Sequence, residues 1–437
     1  MSTGLKRLAS AIAVGILAVA AAQASMPQVR VGLTWHQSSV VVGSPGACVV
    51  ADEGQEWRAQ GETWTVNLPS SIPEGAKPDP QPPQAEVYVM AGDGSGRWCS
   101  LPLRVRANGG SDGGLWAGEK RERLRAYEGE LEVIRDAARM LAVVNVVDLE
   151  AYARGVVCAE MEANCPPEAF KAQAVATRSM ALANPGRHRA DGFDLCAEAH
   201  CQAYRGITDQ MPAGNAAVEA TRGEVLIYGG RVANAVYHGA CGGHTESASE
   251  VWGGADVPYL RGVADGEGQS NPGAAGYGAE DERLRAYLTG APRVNCRQPD
   301  YLNPTRFRWV RVLTRDAVEA SLADMVNVGE VMDLRPLRRG VSGRITRLEI
   351  RGTRGTSTLS PELVIRRALG GLPSSAFVVD RYCDDAGRPV VFVLWGAGWG
   401  HGVGMCQTGA AGMAGSGRGY REILAKYYPG TEVERRY

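Results

Sequence analysis

Short apolar runs separated by Gly, Pro and Ser clusters occupy the first part of the chain. Residues 29–33, 39–42 and 86–90 are rich in β-branched side chains, a pattern that predicts strands. Residues 69–84 contain six prolines and few apolar residues, which predicts an exposed loop. We therefore predict a small β-rich domain over residues 25–118, which ends at a glycine-rich stretch.

The pattern changes beyond residue 118. Strands are predicted at 123–127, 130–135 and 140–147, and Asp148 is placed to cap a helix that ends near Glu160. A second helix is predicted to begin after Pro166 and Pro167, because proline is tolerated in a first turn, and to run through Ala183.

The later pattern mixes strands, glycine turns and helices without a βαβ repeat. Strands resume at Val225, residues 265–344 form a charged and less regular stretch interpreted as an insertion, and a strand at 390–395 precedes a glycine-rich segment and a helix at 421–428. The prediction is an α+β fold: a catalytic domain over 119–437, with helices around irregular sheets, follows the β-rich domain.

The N-terminus has the three-part pattern of a secretory signal. Lys6 and Arg7 precede an apolar stretch over 8–22, and Ala22-Gln23-Ala24 resembles a cleavage site before Ser25. The stretch is shorter than the roughly 20 residues that span a bilayer, although an uncleaved anchor is the alternative. We expect a signal peptide over 1–24 and an exported protein of the periplasm or cell-wall space, with no membrane span after cleavage.

Charge and cysteine content narrow the choice of partners. Lys and Arg total 47 against 48 for Asp and Glu, so no overall field favours nucleic acid or an anionic membrane.

Ten cysteines in an exported chain favour disulfides. Three pairs are close enough in sequence to bond, although other pairings are equally allowed: Cys158 with Cys165, Cys196 with Cys201, and Cys48 with Cys99.

One short segment offers an alternative to disulfides. Residues 194–202 contain two thiols and a histidine, with His188 upstream and Cys241 as a further sulfur that folding could bring near. Zinc prefers four such nitrogen and sulfur ligands. His188, Cys196 and Cys201 are the candidate zinc ligands, and a disulfide between the two cysteines is the competing interpretation.

Glu160 is the candidate acid. It follows mostly apolar residues, and burial would raise its pKa so that it could give a proton to a leaving glycosidic oxygen. A solvated glutamate at a helix end is the alternative, and Glu162 and Glu168 are candidates of the same type. On the next helix, Lys171 and Arg178 lie two turns apart and form either a basic stripe or an ordinary solvated face.

A glycine-rich segment offers a sugar-binding edge. Residues 398–405 contain four glycines around Trp399 and His401, so backbone and indole could approach a ligand closely, although a turn-rich hairpin explains them equally well. Trp252 and the Tyr237-His238 pair add similar groups. The chain has no nucleotide-binding glycine loop, no Gly-x-Ser-x-Gly and no His-Glu-x-x-His.

The order of these segments resembles the stage II sporulation protein D family, which includes LytB-like amidase enhancers. The resemblance begins with residues 149–161 and 168–178 and covers about 126–430, except for the insertion. Further matching segments follow in order: 201–206, 220–223, 237–246, 251–254, 258–260, 398–413 and 420–430.

The resemblance implies a lytic transglycosylase that cleaves peptide-stripped peptidoglycan strands between MurNAc and GlcNAc and leaves 1,6-anhydroMurNAc ends. Glu160 matches the catalytic acid, Lys171 and Arg178 match cleft residues required for activity, and His238 lies at an equivalent cleft position. No cofactor is required, although some members hold zinc near the cleft. The complete set of candidate substrate-binding residues is Lys171, Arg178, Tyr204, His238, Gly243, Trp252, Trp399, His401 and Gln407.

Two other interpretations stay open. In the first, the chain is a non-catalytic peptidoglycan-binding module that stimulates a separate cell-wall amidase, and Glu160 is incidental. In the second, it is a structural envelope protein built around zinc. All three interpretations place the protein at peptidoglycan or in the cell envelope. The effect of replacing Glu160 and the metal content of the purified protein distinguish them.

Overall fold

The structure is a computed structural model that describes residues 26–60, 62–74, 76, 78–108, 114–266, 282–297 and 303–437. The predicted signal peptide lies outside the described residues. Among the residues that are described, no helix is long and apolar enough to cross a membrane.

The described chain contains strands in both its first and its second half. In the first half they are β1 (Gln28–Gln37), β2 (Ser39–Gly43), β3 (Ala47–Ala51), β4 (Glu56–Gln60), β5 (Thr63–Asn67), β6 (Val87–Met90), β7 (Gly96–Cys99), β8 (Leu103–Ala107), β9 (Leu115–Gly118), β10 (Arg125–Tyr127), β11 (Glu130–Arg135), β12 (Leu141–Asp148) and β13 (Leu195–Cys196). In the second half they are β14 (Glu224–Tyr228), β15 (Arg231–Val232), β16 (Tyr237–His238), β17 (Arg308–Thr314), β18 (Val331–Arg339), β19 (Ile345–Gly352), β20 (Gly355–Leu359), β21 (Phe377–Cys383), β22 (Pro389–Ala397), β23 (Met405–Cys406) and β24 (Glu432–Arg435).

The α-helices pack mainly in the middle and at the C-terminal end. They are α1 (Leu149–Glu160), α2 (Pro167–Ala183), α3 (Pro212–Ala220), α4 (Ala248–Trp252), α5 (Glu282–Thr289), α6 (Arg315–Leu322), α7 (Glu362–Ala368), α8 (Gln407–Gly415) and α9 (Tyr420–Tyr427). Helices and sheets in separate regions make an α+β fold, as the sequence predicts.

Two sheets form a β-sandwich at the N-terminal end. One has the order β13-β1-β12-β11-β8-β3-β4 and the other β10-β9-β2-β5-β6-β7. The predicted boundary at residue 118 does not match this arrangement, because β9 and β10 pair across it. The sandwich instead continues to Asp148, and its buried core extends into Tyr152 and Val156 of α1. The glycine-rich stretch is thus a connection within one unit.

Helices α1, α2 and α3 form the second unit. Asp148 caps α1 as predicted, since its side chain accepts a hydrogen bond from the Ala151 amide at 2.8 Å. The alanines of α2 are buried and allow close packing of α8 and α9 on the same core. The parallel pair of β16 and β23 joins two distant segments beside this core.

A third unit contains the sheets formed by β17–β22. It extends further than the predicted insertion at 265–344. Strand β17 pairs with β22 along its whole length, so the unit closes only at Ala397. The β18-β19-β20 sheet and helices α6 and α7 complete its core. Charged residues alternate with buried ones along β18 and β19, and this half-exposed pattern made the stretch look irregular in the sequence.

Candidate functional site

Glu160 is the last residue of α1, and its carboxyl is held by two other segments. Oε1 accepts a hydrogen bond from the Ala203 amide at 2.7 Å. The Gln407 side-chain amide, at the start of α8, lies 3.4 Å from Oε2 and 3.3 Å from the Glu160 carbonyl oxygen. Residues far apart in sequence therefore fix one carboxyl group, with one oxygen bound tightly and the other loosely.

A second layer of polar side chains supports these contacts. The Tyr237 hydroxyl donates to Gln202 Oε1 at 2.9 Å. Gln202 Nε2 donates in turn to the Tyr152 hydroxyl at 3.1 Å, and the Gln407 amide also reaches Gln173 Oε1 at 3.4 Å. These groups come from α1, α2, β16, α8 and the 202–203 turn, so the site lies where the helical unit meets the β16–β23 pair.

The surroundings of Glu160 raise its pKa. Burial is the largest cause, because it removes water from the charged form. Hydrogen bonds from Ala203, Gln407 and Tyr237 and the charge of Arg205 oppose it but do not cancel it. The C-terminal end of a helix also disfavours an anion. The carboxyl therefore keeps its proton at a higher pH than an ordinary glutamate does.

Exposed aromatic side chains lie near the segment that follows Glu160. Glu162 pairs with Arg306 at 3.2 Å, and the Arg306 guanidinium lies 5.6 Å from the centre of the Trp399 ring. Trp399 is 42% exposed and Trp252 is 53% exposed. The Trp252 ring centre lies 5.0 Å from that of His401. An exposed indole offers a flat apolar face on which a sugar ring can stack.

The structure corrects the predicted basic stripe of Lys171 and Arg178. Arg178 is fully buried and binds Glu150 through two hydrogen bonds of 3.0 and 2.6 Å. Lys171 Nζ pairs with Glu168 at 2.6 Å on its own helix. The stripe does not form an open cationic face, because α3 covers Arg178 through Val218 and Thr221.

Three other predicted substrate contacts are also buried. Tyr204 is 1% exposed and its hydroxyl donates to Asn145 at 2.7 Å. His238 donates from Nδ1 to the Val403 carbonyl at 3.0 Å, and burial lowers its pKa. Gly243 is buried and its amide donates to the Cys241 sulfur at 3.3 Å. None of these three residues is therefore open to a substrate in this structure.

His401 lies between the buried and exposed groups. Its Nδ1 accepts a hydrogen bond from the Val403 amide at 3.0 Å, so this nitrogen carries no proton. Burial and the neighbouring His238 lower its pKa, which keeps the ring neutral. Of the predicted substrate-binding residues, Gln407 contacts Glu160, Trp252 contacts His401, and Trp252 and Trp399 are exposed.

The candidate zinc ligands come together with a fourth group. His188, Cys196, His200 and Cys201 place one ligand atom each within 4.8 Å of all the others, and we call them the His/Cys cluster. Cys201 Sγ lies 3.4 Å from His188 Nε2, and His200 Nδ1 lies 3.7 Å from Cys196 Sγ. Ligands that share a tetrahedral zinc lie roughly 3.5–3.8 Å apart, so this donor set fits zinc.

The other cysteines do not follow the predicted pairs. All ten are free thiols in the structure. The Cys158 sulfur accepts a hydrogen bond from the Met211 amide at 3.2 Å, and Cys241 belongs to a different group from the His/Cys cluster.

Sequence reasoning missed several residues that the fold brings to Glu160. The predicted zinc ligands are His188, Cys196 and Cys201, and they do not include His200, which lies in the same thiol-rich segment. Gln202, Ala203 and Tyr237 lie within segments that resemble the family, yet no rule of spacing indicates that they meet Glu160. Their proximity depends on β16 and the 202–203 turn, which only the fold defines.

Comparisons with known proteins agree with the resemblance. Residues 137–228 match a family model described as stage II sporulation protein, and residues 246–404 match a domain of unknown function. An uncharacterised protein of Brachyspira hyodysenteriae is 33% identical over 314 residues, which cover 70% of this chain and 72% of the relative.

Two relatives from Bacillus subtilis carry descriptive names. Stage II sporulation protein D is 26% identical over 327 residues, covering 71% of this chain and 81% of the relative. The amidase enhancer is 28% identical over 306 residues, covering 64% of this chain but only 40% of the relative.

An α+β fold with relatives of these descriptions indicates a class of bacterial cell-wall proteins. The chain belongs to the stage II sporulation protein D and amidase-enhancer family.

Proposed function

We propose that this protein is an exported lytic transglycosylase that cleaves peptide-stripped peptidoglycan strands between MurNAc and GlcNAc. The observation that carries the proposal is the environment of Glu160, a partly exposed carboxyl whose pKa is raised by burial. The groups that hydrogen-bond this carboxyl are the Ala203 backbone amide and the Gln407 side-chain amide, and neither is a carboxylate. Ordinary glycosidases use two carboxylates.

One carboxyl suffices when the nucleophile is already part of the substrate. Glu160 would give its proton to the glycosidic oxygen as the bond to the muramyl anomeric carbon breaks. The muramyl 6-hydroxyl then attacks that carbon, and the Glu160 carboxylate takes the hydroxyl proton. Oε2, which has only a long contact with Gln407, is the oxygen that can carry this proton, since Oε1 is tied to the Ala203 amide at 2.7 Å.

Peptide-stripped strands expose lactyl carboxylates, which cationic groups would bind. Arg178 is unavailable for this because it is buried against Glu150. Arg306 is the better candidate, since it lies between Glu162 and the exposed ring of Trp399. We propose that Arg306 binds a lactyl carboxylate and that the Trp399 indole stacks on a sugar ring.

We further propose that the His/Cys cluster holds a structural zinc ion. The cluster ends at Cys201, two residues before the Ala203 amide that binds Glu160. Four bound ligands would fix the 196–203 segment and so hold that amide and Gln202 in place, while the protein's own groups perform the proton transfers. A Cys196–Cys201 disulfide would restrain the same segment, and zinc analysis with a free-thiol count distinguishes the two.

The decisive experiment compares wild type with Glu160→Gln on peptide-free glycan strands. Wild type should release products with 1,6-anhydromuramyl ends, detected by mass spectrometry, and Glu160→Gln should release none above background. Glu219→Gln is the matched control, because this carboxylate is exposed and pairs with Arg222 on the surface of α3. A wild-type protein that binds cell walls but leaves the strands intact would contradict the proposal.

The amidase enhancer among the relatives favours a second candidate function. In that case the chain binds peptidoglycan and stimulates a separate cell-wall amidase without cleaving glycan. Stimulation should then be unchanged in Glu160→Gln and reduced when the exposed Trp399 is replaced by alanine. Measuring both activities on the same variants separates the two candidates.

A further inference from the structure

We propose that Cys241, Cys296, Cys406 and Asp265 form a second metal site, separate from the His/Cys cluster, that takes one zinc ion. We call these four residues the buried thiol cluster. One ligand atom from each lies within 4.8 Å of all the others. They come from four distant parts of the chain, so the site exists only in the folded protein.

The spacing and burial suit a closed structural site. Cys241 Sγ and Cys296 Sγ lie 3.5 Å apart, close to the roughly 3.8 Å between two sulfurs on one tetrahedral zinc. Cys296, Cys406 and Asp265 are fully buried and Cys241 is 3% exposed. Four protein ligands with no access for water are the arrangement of structural rather than catalytic zinc.

Backbone amides already favour the charged form of two sulfurs. The Cys406 sulfur accepts hydrogen bonds from the Cys241 amide at 3.1 Å and the Gly409 amide at 3.3 Å. It caps the N-terminus of α8, where a helix stabilises negative charge. The Cys241 sulfur accepts one from the Gly243 amide at 3.3 Å. Zinc binds thiolates, so these donors act as the outer ligand shell of a metal site.

Asp265 supplies a buried carboxyl group that can serve as the oxygen ligand of the site. Its Oδ2 accepts a hydrogen bond from the Cys296 amide at 2.6 Å, and its Oδ1 accepts one from the Tyr427 hydroxyl. Within the described part of the chain it forms no ion pair with Lys or Arg. Buried carboxylates are usually paired or bound to metal, and here three sulfurs surround it.

A disulfide accounts for these residues less well than a metal does. Pairing Cys241 with Cys296 would leave Cys406 as a single buried thiol with two amides pointing at it. Zinc satisfies all four groups at once. Binding releases the protons of any ligand still protonated to solvent, and no oxidant or reductant is required.

The position of the cluster explains what the metal does. Cys406 directly precedes Gln407, whose amide contacts Glu160. A zinc ion would join β23 and the start of α8 to the 241–243 turn and to the segments around residues 265 and 296. It would thereby restrain the backbone next to Gln407. This structural role does not depend on which reaction Glu160 performs.

Zinc stoichiometry tests the proposal directly. Full-length mature protein is loaded with zinc, desalted and measured by inductively coupled plasma mass spectrometry. The double variant His188→Ala/Cys201→Ser, which removes the His/Cys cluster, should retain one zinc ion per chain. Its zinc X-ray absorption spectrum should fit three sulfurs and one lighter ligand. No bound zinc in this variant, or a spectrum dominated by nitrogen and oxygen, would overturn the proposal.

Matched variants and a peptide map complete the test. Cys406→Ser should lose one zinc ion relative to wild type while keeping a serine cap for α8, whereas Cys383→Ser, at an exposed thiol elsewhere, should lose none. If a cluster variant fails to fold, the wild type decides the question. A non-reducing peptide map that contains a Cys241–Cys296 disulfide refutes the site, and free thiols that react only after chelation support it.

Discussion

Replacing Arg178 with methionine should destabilise the helical unit severely without removing any substrate contact. The Arg178 guanidinium donates to both oxygens of Glu150, to Thr221 Oγ1 at 3.1 Å and to the Val218 carbonyl at 2.7 Å. Both members of the ion pair are buried, with side-chain exposures of 0% and 2%. The variant therefore leaves the Glu150 carboxylate buried without its cation.

The cost follows from what remains around Glu150. After the substitution its partners are the Gly223 amide at 3.0 Å and the Tyr437 hydroxyl at 2.8 Å, which do not replace a full positive charge. Removing one partner of a buried ion pair costs about 3–5 kcal/mol. A cost of this size is a large part of the 5–15 kcal/mol by which a typical domain is stable. At about 2–4 °C per kcal/mol, the midpoint of thermal unfolding should fall by roughly 6–20 °C.

The assay is differential scanning calorimetry of wild type, Arg178→Met and a matched control, Arg222→Met. Arg222 forms an exposed pair with Glu219 at 3.4 Å, and its loss should cost about 0–0.5 kcal/mol. The double variant Arg178→Met/Glu150→Gln should recover part of the loss, because it leaves no buried charge. If Arg178→Met unfolds like Arg222→Met but has lost activity, Arg178 acts on substrate and the structural interpretation is wrong.

Three further predictions concern Glu160, Trp399 and Glu150. Glu160→Gln should lower glycan cleavage by about 10²–10⁴ at unchanged thermal stability, and wild-type cleavage should fall as pH rises through the raised pKa of Glu160, measured as a pH–rate profile. Trp399→Ala should weaken glycan binding by roughly 2- to 12-fold, equal to about 0.5–1.5 kcal/mol for one aromatic contact, with unfolding unchanged because the ring is 42% exposed. Burial alone would raise the pKa of Glu150, but the hydrogen bonds and charge of Arg178 outweigh it and lower that pKa. The pair therefore stabilises the fold above the unfolded-state pKa of Glu150, and the stabilisation is lost as pH falls through its lower folded value, measured as the midpoint of unfolding against pH.

Local pattern was enough to predict the elements that carry the site. The helix α2 begins at Pro167 and ends at Ala183 as predicted, and Asp148 caps α1, because capping and first-turn prolines are local effects. The third unit was underestimated, since β17 and β22 pair across a long separation in sequence. Long-range pairing leaves no local signal, so residues before 344 looked like an insertion and those after it like a separate strand.

Burial was the main error in the candidate site. The sequence identifies Glu160 and Arg178 as polar residues on helices, but it does not show which face another helix will cover. Arg178 was expected at a surface and is fully buried, because α3 packs over it. Trp399 and Trp252 were expected to be accessible and they are, since glycine-rich turns present them at the edge of the fold.

The two contacts with the Glu160 carboxyl lie next to two different groups of cysteines. The Ala203 amide that binds Oε1 lies two residues after Cys201, and the Gln407 amide that contacts Oε2 follows Cys406 directly. Regular structure is short here, since β13 and β23 are two residues each; Ala203 lies outside any helix or strand, and Gln407 is the first residue of α8. A metal ion at each cluster would supply the rigidity that such short strands lack. The five cysteines of the two clusters would then support one acid, and loss of either metal should move a different oxygen of the same carboxyl.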